Sequence, residues 1–385
     1  MLKSFVSTPV SFPHIEKTNL LGLNRQELES FFSDLGEKPF RATQVMKWIH
    51  QLNVNDFAQM SNISKALQQR LIETASVDAL EVVTDQLSSD GTRKWAFRMA
   101  DGNCIETVYI PEDDRGTLCI SSQVGCALDC SFCSTARQGF SRNLSSAEIL
   151  AQVWLATRLL NEEQPTAKLS IERKITNLVL MGMGEPLLNY ENVVKAIDVF
   201  LDDFAYGLSK RRVTVSTAGV VPAMDRLSER HDVQLAISLH ATRDDLRNEL
   251  VPVNKKYPLK ELIAACHRFM EKRSPRSRLT IEYVMLAGVN DSEQDAKELI
   301  KLMQGLSVLI NLIPFNPFEN SGYKTSSNNA VRRFQDHLMK ANITTVIRKT
   351  RGDDIDAACG QLVGKVEDKS RREKRFINPR FGMNS

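Results

Sequence analysis

The 385-residue sequence lacks any long apolar run. Residues 1–17 contain no stretch suited to a signal peptide, and no later segment reaches the roughly 20 residues of a membrane-spanning helix. One sign of charge is not in excess either, because 50 Lys and Arg face 47 Asp and Glu, so the net charge of +3 indicates no particular partner. We therefore expect a soluble, cytoplasmic protein with no membrane partner.

The number of cysteines is odd, which argues for a reducing compartment and against a disulfide scaffold. Three of the seven cysteines, Cys126, Cys130 and Cys133, follow one another at spacings of four and three residues. Such thiolates favour zinc or an iron–sulfur cluster, but no neighbouring Cys or His supplies the fourth ligand of a closed zinc site. A partial zinc site and three unrelated buried thiols remain the alternatives. The C-x3-C-x2-C spacing resembles the signature of radical S-adenosylmethionine (SAM) enzymes, in which a [4Fe-4S] cluster leaves one iron open to SAM.

The first hundred residues predict a separate helical unit followed by a β-hairpin. Helical periodicity covers residues 24–35, 41–51 and 64–75. Residues 94–99 and 104–110 predict two strands around an Asp101-Gly102 turn. In the second strand the period of two places Cys104, Glu106 and Val108 on one face. Glu106 is by default a solvent-facing charge, and alternatively a carboxylate directed at an unspecified partner.

From residue 117 onward strands and helices alternate, which predicts parallel βαβ units. We expect strands at 117–121, 176–181, 212–216, 233–239, 279–285 and 308–313, and helices at 147–160, 259–272, 292–304 and 330–340. Six such units fit a partial, open (β/α)6 barrel better than a doubly wound sheet, a preference that rests mainly on the radical SAM resemblance. The fold class is therefore α/β: a partial barrel with a small N-terminal helical domain and a β-hairpin extension.

In a barrel, functional residues gather past the carboxyl ends of the strands. Gly182 and Gly184 follow the second predicted strand, and without a Cβ they allow a ligand to approach the backbone closely. The remaining candidates at strand ends are Glu185, Ser216, Ser238, His240 and Asn316. Each has an ordinary alternative as a cap, a loop histidine or a turn residue, but their common position favours contacts to SAM.

Five runs resemble one family, the bacterial radical SAM adenosine C2 methyltransferases of 23S rRNA and tRNA. They are residues 120–126 (ISSQVGC), 181–186 (MGMGEP), 238–242 (SLHAT), 313–317 (IPFNP) and 351–362 (RGDDIDAACGQL). The resemblance covers nearly the whole chain. It implies cluster ligation by Cys126, Cys130 and Cys133, and SAM binding by Gly184, Glu185, Ser216, Ser238, Leu239, His240 and Asn316.

The resemblance also implies a mechanism, because carbon 2 of adenine is electron-poor and cannot act as the nucleophile. Cys359 would accept a methyl group from one SAM, and a 5′-deoxyadenosyl radical from a second SAM would activate that S-methylcysteine. The resulting carbon radical would attack the base and join RNA covalently to Cys359. Glu106 would accept the proton from carbon 2, and Cys119 would release the product by forming a disulfide with Cys359.

The same resemblance suggests four segments and a set of partners. The segments are an RNA-docking helical domain (1–90), a hairpin linker (91–116), the radical SAM core (117–350) and a C-terminal segment with the reactive cysteine and a basic tail (351–385). The partners are 23S rRNA, tRNA and an electron donor such as flavodoxin, and we expect a monomer. From the helical residues alone, a packing domain is as good an interpretation as an RNA-docking one.

Two basic clusters are candidate phosphate contacts, although such clusters are often merely solvated. One is Lys210, Arg211 and Arg212, and the other is the tail, with Lys369, Arg371, Arg372, Lys374, Arg375 and Arg380. Two rival functions stay open. One is methylation at carbon 8 instead of carbon 2 or another radical SAM reaction on RNA, and the other is an iron–sulfur electron-transfer or RNA-binding protein without catalysis.

Overall fold

The computed structural model describes residues 17–162, 174–318, 321–357, 361–362 and 369–370. Cys359 and the tail residues Arg371, Arg372, Lys374, Arg375 and Arg380 lie outside this part of the chain. None of the described helices is long and apolar enough to cross a membrane.

Three helices form the N-terminal unit, as the periodicity predicts: α1 (Arg25–Asp34), α2 (Phe40–Met46) and α3 (Lys65–Thr74). Asn24 and Glu27 form a capping box at the start of α1, which explains why the helix begins where the pattern indicates. The second helix was expected to reach residue 51, and its last turn is a π-helical continuation over Lys47–Gln51. Two short parallel strands, β1 (Thr18–Asn19) and β2 (Ala75–Ser76), close the unit.

The N-terminal unit is fixed to the rest of the chain by buried polar contacts around Trp154. The Trp154 indole nitrogen donates to the Ile49 carbonyl at 2.8 Å, and the Asn53 amide donates to the Trp154 carbonyl at 2.9 Å. Arg25 adds a two-pronged ion pair with Asp202, with distances of 2.7 and 2.5 Å. The unit therefore packs on the core instead of hanging from a linker.

Twelve further strands are described in the rest of the chain. They are β3 (Glu81–Leu87), β4 (Arg93–Arg98), β5 (Cys104–Glu112), β6 (Arg115–Cys119), β7 (Gln123–Gly125), β8 (Phe140–Asn143), β9 (Asn177–Leu180), β10 (Val213–Thr217), β11 (Gln234–Ser238), β12 (Leu279–Met285), β13 (Val308–Pro314) and β14 (Thr344–Ile347). The accompanying helices are α4 (Ser134–Arg137), α5 (Ser146–Glu162), α6 (Tyr190–Leu201), α7 (Val221–Arg230), α8 (Asp244–Leu250), α9 (Leu259–Glu271), α10 (Glu293–Leu302) and α11 (Asn328–Lys340).

Ten of these strands form one open sheet in the order β14-β13-β12-β11-β10-β9-β6-β5-β4-β3. The seven strands from β14 to β6 run parallel, and six of them are the predicted ones. Strand β14 was not predicted and extends the barrel by one strand. The expectation of an α/β fold with a partial barrel is confirmed.

The hairpin is larger than predicted and is continuous with the barrel. Strand β3 adds a third, antiparallel strand outside β4, and β5 pairs with β6. All seven residues of β3 are exposed, so it shows none of the apolar alternation that marked the other two strands. Because β5 lies beside β6, residues of the hairpin become neighbours of the barrel's first strand.

Candidate active site

The carboxyl ends of the parallel strands surround a cleft, here called the cysteine cleft. Its empty volume is about 1000 Å³ with the open mouth included. The predicted residues that line it are Cys126, Cys130, Cys133, Gly184, Glu185, Ser216, Ser238, His240 and Asn316. Residues from five separate segments of the sequence thus meet at one site.

The loop of the three cysteines follows β7 through a turn that only glycine fits. Gly125 has φ +74°, and a Cβ on it would lie 2.1 Å from the Gly139 carbonyl oxygen. The same carbonyl accepts from the Cys126 amide at 2.8 Å, and farther along the Ser131 amide donates to Leu250 at 3.2 Å. The loop is therefore anchored at its start and its middle.

The three thiols line the cleft together, which is the arrangement that a cluster with a separate iron for each thiolate needs. Burial raises the pKa of the Cys130 thiol well above its ordinary value, and the neighbouring Cys126 and Cys133 raise it further. Among the described residues no three such side chains are close enough to hold a single metal ion, whereas three thiolates around one cleft suit a larger body that carries several iron ions. The chemistry of the donor set thus fits an iron–sulfur cluster.

Gly182 and Gly184 line the cleft and are also packed closely against the chain itself, so their role in admitting a ligand stays a prediction. A Cβ on Gly184, whose φ is +100°, would lie 2.4 Å from the Cβ of Gln123. A Cβ on Gly182 would lie 2.8 Å from the Ile120 carbonyl. The two glycines let the loop after β9 lie directly on the segment between β6 and β7.

Glu185 is buried and fully engaged by backbone donors. Its carboxylate accepts from the amides of Leu187 at 3.0 Å and Ala218 at 2.8 Å. Burial raises the pKa of Glu185 to about 7, and these hydrogen bonds oppose the rise. Glu185 therefore holds the end of β10 in place while its carboxylate borders the cleft.

His240 is a neutral hydrogen-bond donor at the cleft wall. Its Nδ1 accepts from the Val284 amide at 3.0 Å, so the proton resides on Nε2. Burial, with a contribution from Arg247, lowers the pKa of His240 to about 3. The residue has φ +61°, and its ring meets the edge of Phe132 at 4.7 Å between centroids. A strained backbone at such a position is typical of a functional site.

Of the other predicted SAM contacts, Ser216, Ser238 and Asn316 line the cleft, whereas Leu239 does not. The hydroxyls of Ser216 and Ser238 lie 3.4 Å apart, and Asn316 approaches Thr350 at 3.4 Å. Leu239 does not line the cleft, since its side chain is in the core and its amide donates to the Glu282 carbonyl at 3.0 Å. Its role in binding SAM stays a prediction.

Sequence reasoning missed Arg247, whose guanidinium ties two strand ends together. It donates to the carbonyls of Ala218 at 2.6 Å, Ser238 at 3.1 Å and Leu239 at 3.0 Å. Burial lowers its pKa to about 10. Arg247 lies in a run of charged residues that is typical of an exposed helix, so no local signal marks its burial.

Glu282 in β12 was missed as well. Its Oε1 accepts from the side-chain Nδ2 of Asn311 at 2.9 Å, whereas no described residue hydrogen-bonds to Oε2. Arg348 lies 4.0 Å from that oxygen, and burial raises the pKa of Glu282. A carboxylate within an apolar strand is the signal that would have identified this residue.

A second cavity, here called the Cys119 cavity, adjoins the cysteine cleft. Five residues line both: Met181, Ile313, Pro314, Asn316 and Arg348. The Cys119 cavity is also lined by Cys119, Val108, Ala357 and Leu362. Cys359 lies outside the described residues, but the described residues on either side of it border the same cavity as Cys119. No two cysteines of the described ranges form a disulfide, so the pairing of Cys119 with Cys359 stays a prediction.

Glu106 is buried, so the default interpretation as a solvent-facing charge is wrong. Its carboxylate forms an ion pair with Lys94 at 3.2 Å, and both side chains are less than a tenth exposed. Val108, one pair along the same face of β5, lines the Cys119 cavity. The sequence assigned the face correctly, but it did not show that this face is covered.

The basic clusters are not both near the site. Lys210, Arg211 and Arg212 precede β10 and therefore lie at the amino ends of the strands, opposite the cysteine cleft. Lys210 pairs with Asp232, and Arg212 donates to Asn177 at 2.7 Å. Of the tail, Lys369 is described, and its amide donates to the Phe140 carbonyl at 3.1 Å.

Two family models match the chain. The model described as the ribosomal RNA large subunit methyltransferase N-terminal domain matches residues 18–77, and that of the radical SAM superfamily matches residues 120–300. Proteins named dual-specificity RNA methyltransferase RlmN are similar over 94% of the chain: one from Marinobacter nauticus is 58% identical over 97% of its own length, and one from Pseudomonas fluorescens is 57% identical over 94%. The crystal structure of a radical SAM methyltransferase from Sphaerobacter thermophilus superposes with a TM-score of 0.83 at 41% identity, covering 90% of this chain and 99% of that one.

The packing of Gly184 on Gln123 gives the first prediction. Gly184→Ala should lower the free energy of unfolding by more than the roughly 1–3 kcal/mol of strain at a positive φ, because Gln123 must also move. Gly102→Ala is the matched control, since Gly102 has φ +82° with no atom within 4 Å of an added Cβ. Thermal unfolding and SAM binding by equilibrium dialysis measure the effects. Equal losses in the two variants would contradict the packing argument.

Proposed function

Because the chain belongs to the family of dual-specificity RNA methyltransferases, which are radical SAM enzymes, we propose that it methylates carbon 2 of an adenosine in both 23S rRNA and tRNA. The observation that carries the proposal is the Cys119 cavity. It shares a wall with the cysteine cleft, and it is bordered by Cys119 and by the described neighbours of Cys359. The proposed site of radical chemistry thus adjoins a cavity that contains Cys119 and is bordered by residues close in sequence to Cys359, and methylation of an electron-poor carbon by the proposed route requires both thiols.

Membership of the radical SAM superfamily implies a [4Fe-4S] cluster and SAM. Cys126, Cys130 and Cys133 would hold the cluster, and when bound the two groups supply a methyl donor and, from a second SAM, a 5′-deoxyadenosyl radical. The chain's own residues then hold SAM in place. Glu185 and the carbonyls near Gly184 suit its ammonium group, whereas Ser216, Ser238, His240 and Asn316 offer neutral donors and acceptors for its ribose and adenine.

The reaction at the second site uses two thiols in succession. Cys359 takes up a methyl group, loses a hydrogen atom from it, and bonds through that carbon to carbon 2 of adenine. Formation of that bond leaves one unpaired electron on the base. This electron would return to the oxidised cluster, and Glu106 accepts the proton that leaves carbon 2. The Cys119 thiolate then attacks the Cys359 sulfur, so a disulfide forms as the carbon–sulfur bond breaks. The electron pair of that bond goes to the released carbon, which takes up one proton to become the methyl group of the product. An electron donor such as flavodoxin would supply the electron for the radical step and the electrons that reduce the disulfide to two thiols.

The substrate approaches over a basic rim, defined here as Arg348, Lys349 and Arg351. All three residues line the Cys119 cavity. Adenine must be unstacked to enter a cavity, which favours loop nucleotides of folded RNA. A phosphate beside the extruded base would then meet the rim. The N-terminal domain (1–90), in which the matched ribosomal RNA methyltransferase region lies, would dock the rest of the RNA, with the protein acting as a cytoplasmic monomer.

The cluster assignment predicts a joint loss of three properties. Replacing Cys126, Cys130 and Cys133 by Ala should remove iron, the brown colour and SAM cleavage together, because each thiolate holds one iron of the same body. Iron analysis and cleavage assays on anaerobically purified protein measure this. Cys266→Ala is the control, since Cys266 is a core residue of α9. A triple variant that keeps its iron would disprove the assignment.

The two thiols outside the cluster motif should behave differently. Cys119→Ala leaves the carbon–carbon bond-forming steps intact and removes the thiol that releases RNA, so a protein–RNA band that survives denaturant should accumulate. Cys359→Ala removes the methyl carrier, so neither the band nor methyladenosine should form. Denaturing gels and mass spectrometry of nucleosides measure these outcomes. Identical behaviour of the two variants would disprove the mechanism. If the wild-type protein produced 8-methyladenosine, the methylated position would be carbon 8 and not carbon 2.

The basic rim predicts a position-dependent effect of salt on RNA binding. Lys349→Gln with Arg351→Gln should flatten the dependence of log affinity on log salt by about 0.7–0.9 for each phosphate that the rim no longer neutralises. Lys210→Gln with Arg211→Gln is the matched control, because it removes the same charge from the opposite end of the barrel. Filter binding over a series of salt concentrations measures both slopes. Equal slopes for the two double variants would remove the rim from the RNA interface.

A further inference from the structure

Three strands place an unassigned lysine, Lys94, beside Val108 and Cys119, which line the Cys119 cavity. Residues directly opposite in an antiparallel pair share a face, and Val108 of β5 is opposite both Lys94 in β4 and Cys119 in β6. Glu106 lies two residues from Val108 and so points to the same face. Lys94, Glu106 and Cys119 therefore form one patch on the covered face of the hairpin.

Lys94 is buried, and its ammonium has two described partners. It lies 3.2 Å from the Glu106 carboxylate and 3.3 Å from the Asp356 carbonyl. A buried ion pair contributes little net stability, because both charges lose their hydration. The pair is thus poorly explained as a stabilising contact.

The second partner connects the pair to the reactive segment. Asp356 lies three residues before Cys359 and next to Ala357, which lines the Cys119 cavity. The neighbouring turn is fixed to the hairpin as well, since the Gly352 amide donates to Asp90 at 3.2 Å and the Ser89 amide donates to Asp354 at 3.1 Å. Lys94 thus contacts both Glu106, the candidate base, and the C-terminal segment.

We propose that Lys94 is a positioning residue, which holds Glu106 ionised and oriented for the proton on carbon 2 and fixes the segment that leads to Cys359. The inference rests on the proposed function. An ammonium at this distance favours the ionised carboxylate, and only that form accepts a proton. The transfer moves one proton from carbon 2 to Glu106 and leaves the electron pair on the base.

Other charged and titratable groups face Glu106 and must be kept constant in a test. On the same face are Arg98 of β4, Cys104 of β5 and Cys119 of β6, and Asp356 and Arg351 approach from the C-terminal segment. Arg98 is a useful control. It lies on the same strand and face as Lys94, but its ion pair with Glu81 is exposed.

The test compares Lys94→Met, Lys94→Arg, Glu106→Gln and Arg98→Met. If proton loss becomes slow, Lys94→Met should accumulate the covalent protein–RNA band in the presence of Cys119, as Glu106→Gln does. The rate at which the band decays should rise with pH in Lys94→Met, and the rise should lie about 1–3 pH units above that of wild type. Lys94→Arg should restore the wild-type profile, and Arg98→Met should not change it.

Each outcome has a distinct meaning. The proposed function itself would be overturned if the wild-type protein formed no methyladenosine and the Cys119→Ala variant formed no covalent protein–RNA band. Wild-type activity with an unchanged pH profile in Lys94→Met would overturn only the role of Lys94. If Lys94→Met does not fold, Lys94→Gln takes its place. If both Lys94→Met and Lys94→Gln lost iron and no longer unfolded cooperatively, the ion pair would be required for folding, and the proposal would be overturned.

Discussion

The site depends on one buried amide side chain, that of Gln123. Its oxygen accepts from the Ala127 amide at 3.1 Å and from the Glu185 amide at 3.0 Å, and its nitrogen donates to Asn143 at 2.8 Å. One side chain thereby joins the cysteine loop, the loop after β9 and the strand β8. An unsatisfied buried amide is costly, so these segments are held at a fixed distance, and Gly184 is required because no Cβ fits beside Gln123.

A second constraint is the register of the hairpin on β6. Because the side-chain period of a strand is two, a slip of one residue would turn Glu106 and Lys94 away from Cys119. The register places Ile110 opposite Thr117 and Val108 opposite Cys119. The hairpin therefore supplies part of the wall of the Cys119 cavity, which a separate linker would not do.

The sequence predicted the barrel strands and the residues past their ends because both follow from local patterns. Strand β12 was expected at residues 279–285 and has those bounds, since a run of β-branched and aromatic residues between polar ones is unambiguous. Strands β3 and β14 were not predicted, because they lie at the two edges of the sheet and their own patterns are weak: all seven residues of β3 are exposed, and β14 has only four residues. Arg247, Gln123 and Lys94 were not predicted for a related reason: their burial follows from tertiary packing, and polar side chains are ordinarily exposed.

The alternation of residues in β5 predicts the face on which Glu106 lies, but it does not predict that Glu106 is buried. Only the position of the C-terminal segment decides whether that face meets water. The segment crosses from β14 to the turn before β4, where Asp354 and Gly352 contact Ser89 and Asp90. It then borders the cavity at Ala357 and Leu362 and reaches α4, where the Leu362 carbonyl accepts from Thr135 at 2.8 Å. The described residues of this segment thus contact the ion pair at Asp356 and the helix after the cysteine loop at Leu362, so the wall of the Cys119 cavity depends on contacts that are distant in sequence.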